Sequence, residues 1–285
     1  MVNQSRSQPP NAVRVLTMNV YGPANPDWDL RHRLIGETIR ALDPDVIALQ
    51  EVPVDSAETL AQLIGSDHHL THFSRPSEDG VAGTLATRWP HRVVQEIDLR
   101  ISDRSRPTLP WCAATIVELD SPLGPMVVAH HKPSWPFPFE LEREEQAVLV
   151  ARALEDHIRG RDVHAVVLGD FDATPDSASL QFWRGRRPSR GESVCYQDAW
   201  EYARPEEAGF TFDLRNPLVL EGEVATAVSR KIDHILVRSG LHGPTLQVAD
   251  CQRVLDEPVN GVWASDHFGV LADLVLPERP PGFRS

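Results

Sequence analysis

Residues 166–177 read VVLGDFDATPDS, an apolar run that ends in two acids. The acids are Asp170 and Asp172, and a turn is expected directly afterwards at Pro175. Strand interiors rarely contain Asp, and two carboxylates that face each other repel unless a cation or a proton separates them. The stretch therefore predicts a buried strand that delivers paired negative charge to one place in the fold.

Strand and helix signals alternate on both sides of this stretch, which is the pattern of a layered α/β protein. Strands are predicted, from apolar runs bounded by turn residues, at 13–22, 46–52, 83–89, 112–119, 125–131, 164–171, 231–237 and 268–276. Helices are predicted at 30–42, 56–64, 140–158 and 177–184. No internal repeat interrupts this order, so we expect a disordered tail at 1–11, a single domain at 12–276 and a C-terminal tail at 277–285.

The composition of the 285-residue chain, with 41% hydrophobic and 24% charged residues, is typical of a globular protein. No apolar run is long enough to span a membrane, and the first residues lack the basic start and apolar segment of a secretory signal. The three cysteines are far apart in the sequence and show no metal-type spacing. We therefore expect free thiols and a cytoplasmic location.

The formal net charge of −13 bears on the partners of the protein. Tight binding to nucleic acid depends largely on basic side chains that displace counterions from phosphates. The charge therefore disfavours tight binding to duplex DNA and favours a small or single-stranded substrate. The basic stretch RGRRPSR at 184–190 is interpreted as an exposed loop, and the sequence provides no basis for naming a protein partner.

Polar residues recur where the predicted strands end, and strand ends at one sheet edge are where α/β proteins assemble their sites. These residues are Asn19, Glu51, His131, Asp170, Asp172, Asp233, Asp266 and His267. Amide and carboxylate oxygens without a soft ligand nearby suit a hard cation such as Mg²⁺ or Mn²⁺. Taken alone, Glu51 fits an ordinary surface residue better than a metal ligand, whereas the pair Asp266–His267 fits a solvated turn as well as it fits a site.

Two stretches contain adjacent histidines. In VVAHHKPSW, at 127–135, alternation along a strand allows only one of His130 and His131 to face a site. The stretch HHLTH at 68–72 has the residue types of a zinc site but lacks a second ligand group. We interpret HHLTH as a polar connector.

Six motifs occur in one order along the chain: TMNVYG, PDVIALQEV, VVAHHKPS, LGDFDATPDS, KIDHIL and SDHFGV. In residues and order they resemble the motifs of the endonuclease/exonuclease/phosphatase family, across residues 15–276. The resemblance implies an α/β (α+β) fold, a four-layer α/β/β/α sandwich with two central sheets that are mixed and mainly antiparallel. It also implies a site at one edge of the sandwich.

The resemblance implies a metal site that holds Mg²⁺ or Mn²⁺. Glu51 resembles the principal metal ligand of the family, and Asn19 and Asp266 resemble further residues of the metal site. Asp170 and Asp172 are additional candidates for metal ligands. One ion is expected, and a second ion is possible.

The resemblance also implies catalytic roles for five residues. His131 resembles the histidine that contacts the scissile phosphate or protonates the leaving group, and Asp170 resembles the acid that orients or deprotonates the attacking water. Asp233 resembles the partner that fixes the tautomer of His267, the final histidine. Asp172 occupies the remaining catalytic position, where it departs from the family.

The family motif reads Gly-Asp-Phe-Asn, with an Asn whose amide donates to the phosphate, whereas this chain has Asp172. A carboxylate cannot donate a hydrogen bond unless it is protonated, and its charge repels the substrate. Either Asp172 keeps a proton, or a cation lies between it and the phosphate, or activity is lost. We favour a second Mg²⁺ or Mn²⁺, because Asp170, Asp172 and Asp266 would together form an acid-rich pocket.

The expected function is divalent-metal-dependent hydrolysis of a phosphate ester, most directly by a nuclease-like phosphodiesterase in which an activated water attacks in line. A phosphomonoesterase acting on a nucleotide or metabolite is an alternative, and a degenerate binding scaffold without catalysis is another.

The stretch KPSWPFPFE at 132–140 carries aromatic residues. These aromatics could stack on a base or simply pack on the domain.

Overall fold

A computed structural model describes residues 11–106, 111–225 and 227–278. The predicted terminal tails lie almost entirely outside these residues. In chain order the strands are β1 (Ala12–Asn19), β2 (Val46–Pro53), β3 (His69–His72), β4 (Val81–Thr87), β5 (His91–Asp98), β6 (Ala113–Ser121), β7 (Gly124–Lys132), β8 (His164–Asp170), β9 (Tyr196–Asp198), β10 (Asp233–Gly240), β11 (Gly243–Pro244), β12 (Gln247–Val254) and β13 (Gly269–Val275). The helices are α1 (Trp28–Leu42), α2 (Ala57–Ile64), α3 (Glu140–Ile158), α4 (Ala178–Trp183), α5 (Ala199–Ala203) and α6 (Pro217–Glu221).

The strands form two mixed sheets. The first has the order β12-β13-β1-β2-β4-β3, and the second has the order β11-β10-β8-β7-β6-β5, with β9 also paired to β10. The central pair of each sheet is parallel, β1 with β2 and β7 with β8, and the remaining pairs are antiparallel. The predicted mixed, mainly antiparallel arrangement is therefore confirmed.

Three buried apolar clusters separate four layers. The cluster between the sheets joins Val15 and Val46 of the first sheet to Val128 and Val166 of the second. A second cluster packs α1 and α2 against the outer face of the first sheet, and a third packs α3 and α4 against the outer face of the second. Alternate residues of a central strand thus face a helix layer and the opposite sheet. The predicted four-layer sandwich is confirmed.

The long helix α3 occupies the range predicted for it, and α1, α2 and α4 begin and end within two residues of their predicted bounds. Apolar residues at helical spacing account for this agreement, because each of these helices buries one face on a sheet. Among the helices of the described residues, none combines the length and apolar composition needed to cross a bilayer.

The strands β3, β5, β11 and β12, which were not predicted, are edge strands of the two sheets, and β9, which was also not predicted, pairs with β10. An edge strand is paired on one side only and is often polar, so it lacks the apolar run of a central strand. The interpretation of HHLTH as a connector is wrong, because residues 69–72 pair antiparallel with β4. Each missed strand thus contributes to the sheets but lies away from their centres.

The topology brings the polar strand ends together. Because β1 and β2 are parallel and β13 is antiparallel to β1, the ends of β1 and β2 lie beside the start of β13. In the second sheet the ends of β7 and β8 likewise lie beside the start of β10, where Asp233 pairs in register with Asp170. The two groups of strand ends meet across the sandwich, since Asn19 of β1 donates a hydrogen bond to Asp170 of β8.

Candidate active site

A cleft of about 410 Å³ opens where these strand ends meet. Its polar lining includes Asn19, Glu51, Lys132, Asp170, Asp172, Asp266 and His267. Its aromatic lining consists of Tyr21, Trp111, Trp135, Phe137 and Phe212, together with Arg230. The structure therefore brings six of the eight residues singled out from the sequence into one cleft, and Asp233 lies directly behind His267.

Asn19 is buried at the end of β1 and connects two of the acids. Its Oδ1 accepts a hydrogen bond from the backbone N–H of Tyr21 (2.9 Å), which fixes the orientation of the amide. Its Nδ2 donates to Glu51 Oε1 (2.8 Å) and to Asp170 Oδ2 (3.2 Å). The amide group thus bridges two carboxylates while its oxygen is held by the backbone, so this geometry favours an orienting role for Asn19.

An irregularity in β2 turns Glu51 toward the cleft. The register of β2 against β4 shifts between Leu49 and Val52, and Glu51 has a left-handed backbone with φ of 60°. A bulge re-aims a side chain, and a positive φ at a residue other than glycine is uncommon and strained. Such strain concentrates at functional sites, which agrees with the half-buried position of Glu51 in the cleft.

Asp170 reaches the cleft because Gly169 allows β8 to pass close to β7. Gly169 has a φ of 155°, and a Cβ atom at this position would lie 2.1 Å from the backbone oxygen of His131. Only glycine fits such an approach. Asp170 is buried, and its Oδ1 accepts the backbone N–H of Asp172 (3.1 Å). The carboxylate is therefore held rigidly at the strand end.

Lys132, at the end of β7, is a site residue that the sequence patterns did not indicate. Its Nζ lies 2.7 Å from Asp170 Oδ2 and also contacts Asp172 Oδ2. The side chain lines the cleft but is only 4% exposed, so bulk water reaches little of this ion pair. The sequence signal that could have identified Lys132 is its place at a strand end, two residues after His130 and on the same face of β7.

The charges of this group shift one another's pKa values. Burial alone would raise the pKa of Asp170, but the charges of Lys132 and His267 outweigh it and hold that pKa well below its usual range. Burial and the charge of Asp170 raise the pKa of Asp172, against the opposing effect of Lys132. Burial would lower the pKa of Lys132, but the two carboxylates raise it well above its ordinary value. Lys132 is therefore a permanent cation.

Asp172 has a left-handed backbone with φ of 50°. Asp and Asn adopt this conformation more readily than most residues, so the backbone explains why one of these two types occurs here. The backbone does not select between them. In the structure, the cation that compensates the charge of Asp172 is the ammonium of Lys132.

His267 and Asp233 form a buried pair behind the acids. The Nδ1 of His267 lies 2.9 Å from Asp233 Oδ2, and the imidazole packs edge-on against Phe212 at a centroid distance of 5.3 Å. Burial would lower the pKa of His267, but the charges of Asp233, Asp170 and Asp266 outweigh it and raise that pKa well above its ordinary value. The imidazole is therefore oriented by Asp233 and favoured in its protonated form.

The donor set of the cleft fits a hard divalent cation. Ligand atoms of Asp170, Asp233 and His267 all lie within 4.8 Å of one another, but the imidazole of His267 is paired with Asp233 and favoured in its protonated form, so it is a poor metal ligand. The carboxylates of Glu51, Asp170 and Asp266 line the cleft and are the better donor set. Burial and, to a smaller extent, the charge of Glu51 raise the pKa of Asp266 to about 7, despite the opposing charge of His267. A bound cation relieves such an excess of negative charge, and oxygen ligands suit Mg²⁺ or Mn²⁺.

The structure does not bring His131 to the cleft. Its imidazole is buried and packs edge-on against Phe171 and Trp183, at centroid distances of 4.9 and 6.0 Å. Burial and the nearby charge of Lys132 lower the pKa of His131 to about 3, so the ring is neutral. The adjacent His130 is also fully buried. The predicted phosphate contact of His131 therefore needs correction, because the end of this strand presents Lys132 to the cleft instead.

Arg230 lies against two phenyl rings in the aromatic part of the cleft. Its guanidinium carbon is 4.4 Å from the ring centroid of Phe137 and 5.5 Å from that of Phe212. The Nε of Arg230 is buried and has no hydrogen-bond partner in the described part of the chain. The segment 132–140 thus contributes Trp135 and Phe137 to the cleft, and sequence reasoning did not anticipate that Arg230 joins them.

A second buried charge cluster fixes the backbone beside the cleft. Asp198 Oδ2 lies 2.5 Å from Lys231 Nζ and 2.7 Å from His234 Nδ1. The Nε2 of His234 donates to the backbone oxygen of Ala173 (2.9 Å), which follows Asp172 in the chain. Burial would raise the pKa of Asp198, but Lys231 and His234 outweigh it and hold that pKa well below its usual range.

Comparison with solved structures places this architecture among known proteins. D. rerio TDP2 complexed with single strand DNA product is 19% identical, with a TM-score of 0.69 over 92% of this chain and 98% of that one. The human Nocturnin catalytic domain with bound sulfate is 20% identical, with a TM-score of 0.67 over 94% of each chain. An endonuclease/exonuclease/phosphatase from Bacteroides vulgatus is 21% identical, with a TM-score of 0.67 over 93% of this chain and 99% of that one. At these identities the likeness shows the fold.

Comparison of the sequence finds a match to a family but not to an individual curated protein. No curated protein matches the chain in sequence. The model of the endonuclease/exonuclease/phosphatase family matches residues 16–267, which include every polar residue that lines the cleft. The fold, the order of the motifs and this match agree, and the chain belongs to the endonuclease/exonuclease/phosphatase family.

Proposed function

We propose that the protein is a metal-dependent phosphodiesterase. The observation that carries this proposal is the convergence of Glu51, Asp170 and Asp266 with the Asp233–His267 pair at one cleft. Membership of the family supports hydrolysis of a phosphate ester as the general reaction. The donor set supports Mg²⁺ or Mn²⁺ as the cofactor.

Three residues account for the metal site in this proposal. Glu51 and Asp266 hold the ion, and Asn19 orients Glu51 through the 2.8 Å hydrogen bond from Nδ2 to Oε1. A bound divalent cation would neutralise negative charge that develops on the phosphate oxygens during in-line attack. The bulge at Glu51 supports this assignment, because it directs a carboxylate of an otherwise buried strand into the cleft.

Two further residues act on the attacking water and on the phosphate. Asp170 is held by Asn19, by Lys132 and by the backbone N–H of Asp172, and it orients the attacking water as a hydrogen-bond acceptor, because its lowered pKa disfavours full proton transfer to it. The protonated imidazole of His267, oriented by Asp233, donates a hydrogen bond to a phosphate oxygen. Each group is therefore preorganised before the substrate binds.

The aromatic lining of the cleft supports a substrate larger than a simple phosphomonoester. Trp135, Phe137 and Phe212 offer faces on which a base or another flat group can stack. The net charge of −13 favours a small or single-stranded substrate over duplex DNA. The D. rerio TDP2 structure, which has a similar fold, contains a single-strand DNA product, and this is consistent with the proposed substrate class.

The free cysteines Cys112, Cys195 and Cys251 support a cytoplasmic location as part of the proposal.

A substrate panel tests the proposed function. Single-stranded and duplex oligonucleotides, bis(p-nitrophenyl) phosphate, p-nitrophenyl phosphate and nucleoside monophosphates would be assayed with Mg²⁺, with Mn²⁺ and with EDTA. We expect hydrolysis of single-stranded or small diesters that depends on the metal and stops in EDTA. Activity confined to the monoesters would identify a phosphomonoesterase instead, and no hydrolysis of any ester at any metal concentration would support the binding scaffold.

A further inference from the structure

The chain contains 2 lysines, Lys132 and Lys231, although Lys and Arg together number 28. Both lysines are buried against carboxylates: Lys132 against Asp170 and Asp172, and Lys231 against Asp198. The remaining 26 of these 28 residues are arginines. Lysine is thus used only where a compact ammonium bridges groups inside the protein, a geometry that the planar fork of arginine does not reproduce.

An ammonium has three N–H donors, and the structure accounts for two of those of Lys132. One donates to Asp170 Oδ2 and one to Asp172 Oδ2. In the part of the chain that the structure describes, no other acceptor contacts Nζ, while Lys132 itself lines the cleft. The third donor is therefore available to a group that enters the cleft.

The charge of Lys132 explains why this chain can have Asp172 where the family motif has Asn. The usual Asn is neutral and donates to the phosphate from its own amide, whereas Asp172 cannot donate when ionised. Lys132 supplies both missing features, because it neutralises Asp172 and provides a donor close to the position that the amide would occupy. The backbone at this position accepts either residue, so the choice of Asp is tied to Lys132 rather than to φ.

We propose that Lys132 is a catalytic residue that donates to the scissile phosphate, and that Asp172 is a positioning residue that holds Lys132 in place. The ammonium thereby takes the role that a second divalent cation would otherwise have beside Asp172. This inference rests on the proposed function for the identity of the ligand. It concerns the phosphate-binding contacts of the cleft, which can be measured without hydrolysis.

The presence of 2 lysines permits a direct binding experiment. Protein labelled with ¹⁵N-lysine gives one side-chain ammonium signal for each buried lysine, and Lys132→Met identifies the signal of Lys132 by its loss. Inorganic phosphate would be titrated into the Mg²⁺-saturated protein. We expect the Lys132 signal to shift while that of Lys231 stays in place, and no shift of the Lys132 signal would overturn the proposal.

Metal stoichiometry provides a second readout. Titration calorimetry with Mn²⁺ is expected to give one ion per chain for the unaltered protein, because Lys132 already compensates Asp172. Two ions per chain in the unaltered protein would contradict the inference. The double variant Lys132→Met/Asp172→Asn, which removes both charges together, should also bind one ion.

Hydrolysis then tests the two roles separately. Lys132→Met should lower kcat about a hundredfold, and Lys132→Arg should lose about as much although it keeps the charge. The double variant should recover about tenfold over Lys132→Met, because the introduced asparagine would restore the amide donor and remove the repulsion between the acids. Full activity of Lys132→Arg, or a double variant no better than Lys132→Met while its thermal unfolding is unchanged, would overturn the proposal. If no ester is hydrolysed but phosphate still shifts the Lys132 signal, the proposed function and the catalytic role of Lys132 both fail, and only the phosphate contact of Lys132 stands.

Discussion

The carboxylate of Asp233 lies 2.9 Å from the Nδ1 of His267, and both residues are buried behind the acids of the cleft. The carboxylate fixes which nitrogen faces the substrate and stabilises the imidazolium. His267 can therefore present its Nε2–H to a phosphate oxygen without first reorienting. Asp233 therefore positions His267, and the effect of this contact on turnover can be measured separately from metal binding.

Replacing Asp233 with Asn should lower kcat by about a hundredfold or more, because the amide neither stabilises the imidazolium nor selects one tautomer. His267→Ala should cause a loss of similar size. Steady-state kinetics and Mn²⁺ calorimetry on both variants check this expectation. The metal affinity should change little, and an equal loss of affinity and turnover would instead identify His267 as a ligand.

Replacing Glu51 with Gln should keep the fold but remove the main negative charge from the metal site. We expect a fall in kcat on the order of a hundredfold and a weaker response to Mg²⁺. The matched control is Glu223→Gln, because Glu223 also lines the cleft but is exposed and is not among the residues of the metal site. Turnover as a function of metal concentration measures both, and equal behaviour of the two variants would refute the assignment of Glu51.

Much of this site was predictable from the sequence because strand ends carry a strong local signal. Asn19 and Asp170 each follow an apolar run, so their positions at the ends of β1 and β8 follow from burial of the preceding residues. The polar character of β3 hid that strand, since pairing with β4 is a contact between distant residues. Local patterns thus located the central strands better than the edges.

The local sequence pattern could not predict the roles of Lys132 and His131, because these roles depend on which face of β7 meets the cleft. Alternation shows that neighbouring residues face opposite ways, but it does not say which face is which. The partners of Lys132 are Asp170 and Asp172, 38 and 40 positions later in the chain, and only the parallel pairing of β7 with β8 brings them together. Two adjacent buried acids require a nearby cation, and this requirement was the signal in the sequence that could have pointed to Lys132.

Arg230 should contribute to substrate binding beyond the scissile phosphate, because its guanidinium lies against Phe137 and Phe212 and its buried Nε has no partner among the described residues. Arg230→Gln and Phe137→Ala should each raise KM for a single-stranded oligonucleotide about tenfold. The effect on bis(p-nitrophenyl) phosphate should be smaller.

Arg186→Gln is the matched control for this prediction, since Arg186 lies in the exposed basic loop at 184–190. We expect its KM for the oligonucleotide to stay unchanged. An increase in KM for Arg186→Gln without one for Arg230→Gln would move the nucleic-acid contact from the aromatic lining to that loop.

The cluster of Asp198, Lys231 and His234 should make stability depend on pH in the acid range. Lys231 and His234 lower the pKa of Asp198 below its value in the unfolded chain, about 3.9. The contribution of Asp198 to the free energy of unfolding is therefore fully present above that pH. As the pH falls below about 4, the unfolded chain binds a proton that the folded protein does not, and this contribution decreases by about 1.4 kcal/mol per pH unit until the folded pKa is reached.

Asp198→Asn tests this expectation, because it leaves Lys231 buried without its carboxylate. We expect a loss of about 3–5 kcal/mol in the free energy of unfolding at pH 7, measured by urea denaturation. The difference from the unaltered protein should shrink as the pH is lowered from about 4 toward 2. Asp156→Asn, which removes an exposed ion pair with Arg159, should change stability by less than about 1 kcal/mol. A difference for Asp198→Asn that stays constant across this pH range would show that the carboxylate is not ionised in the folded protein, and the charge cluster would then not account for the stability of the backbone beside Asp172.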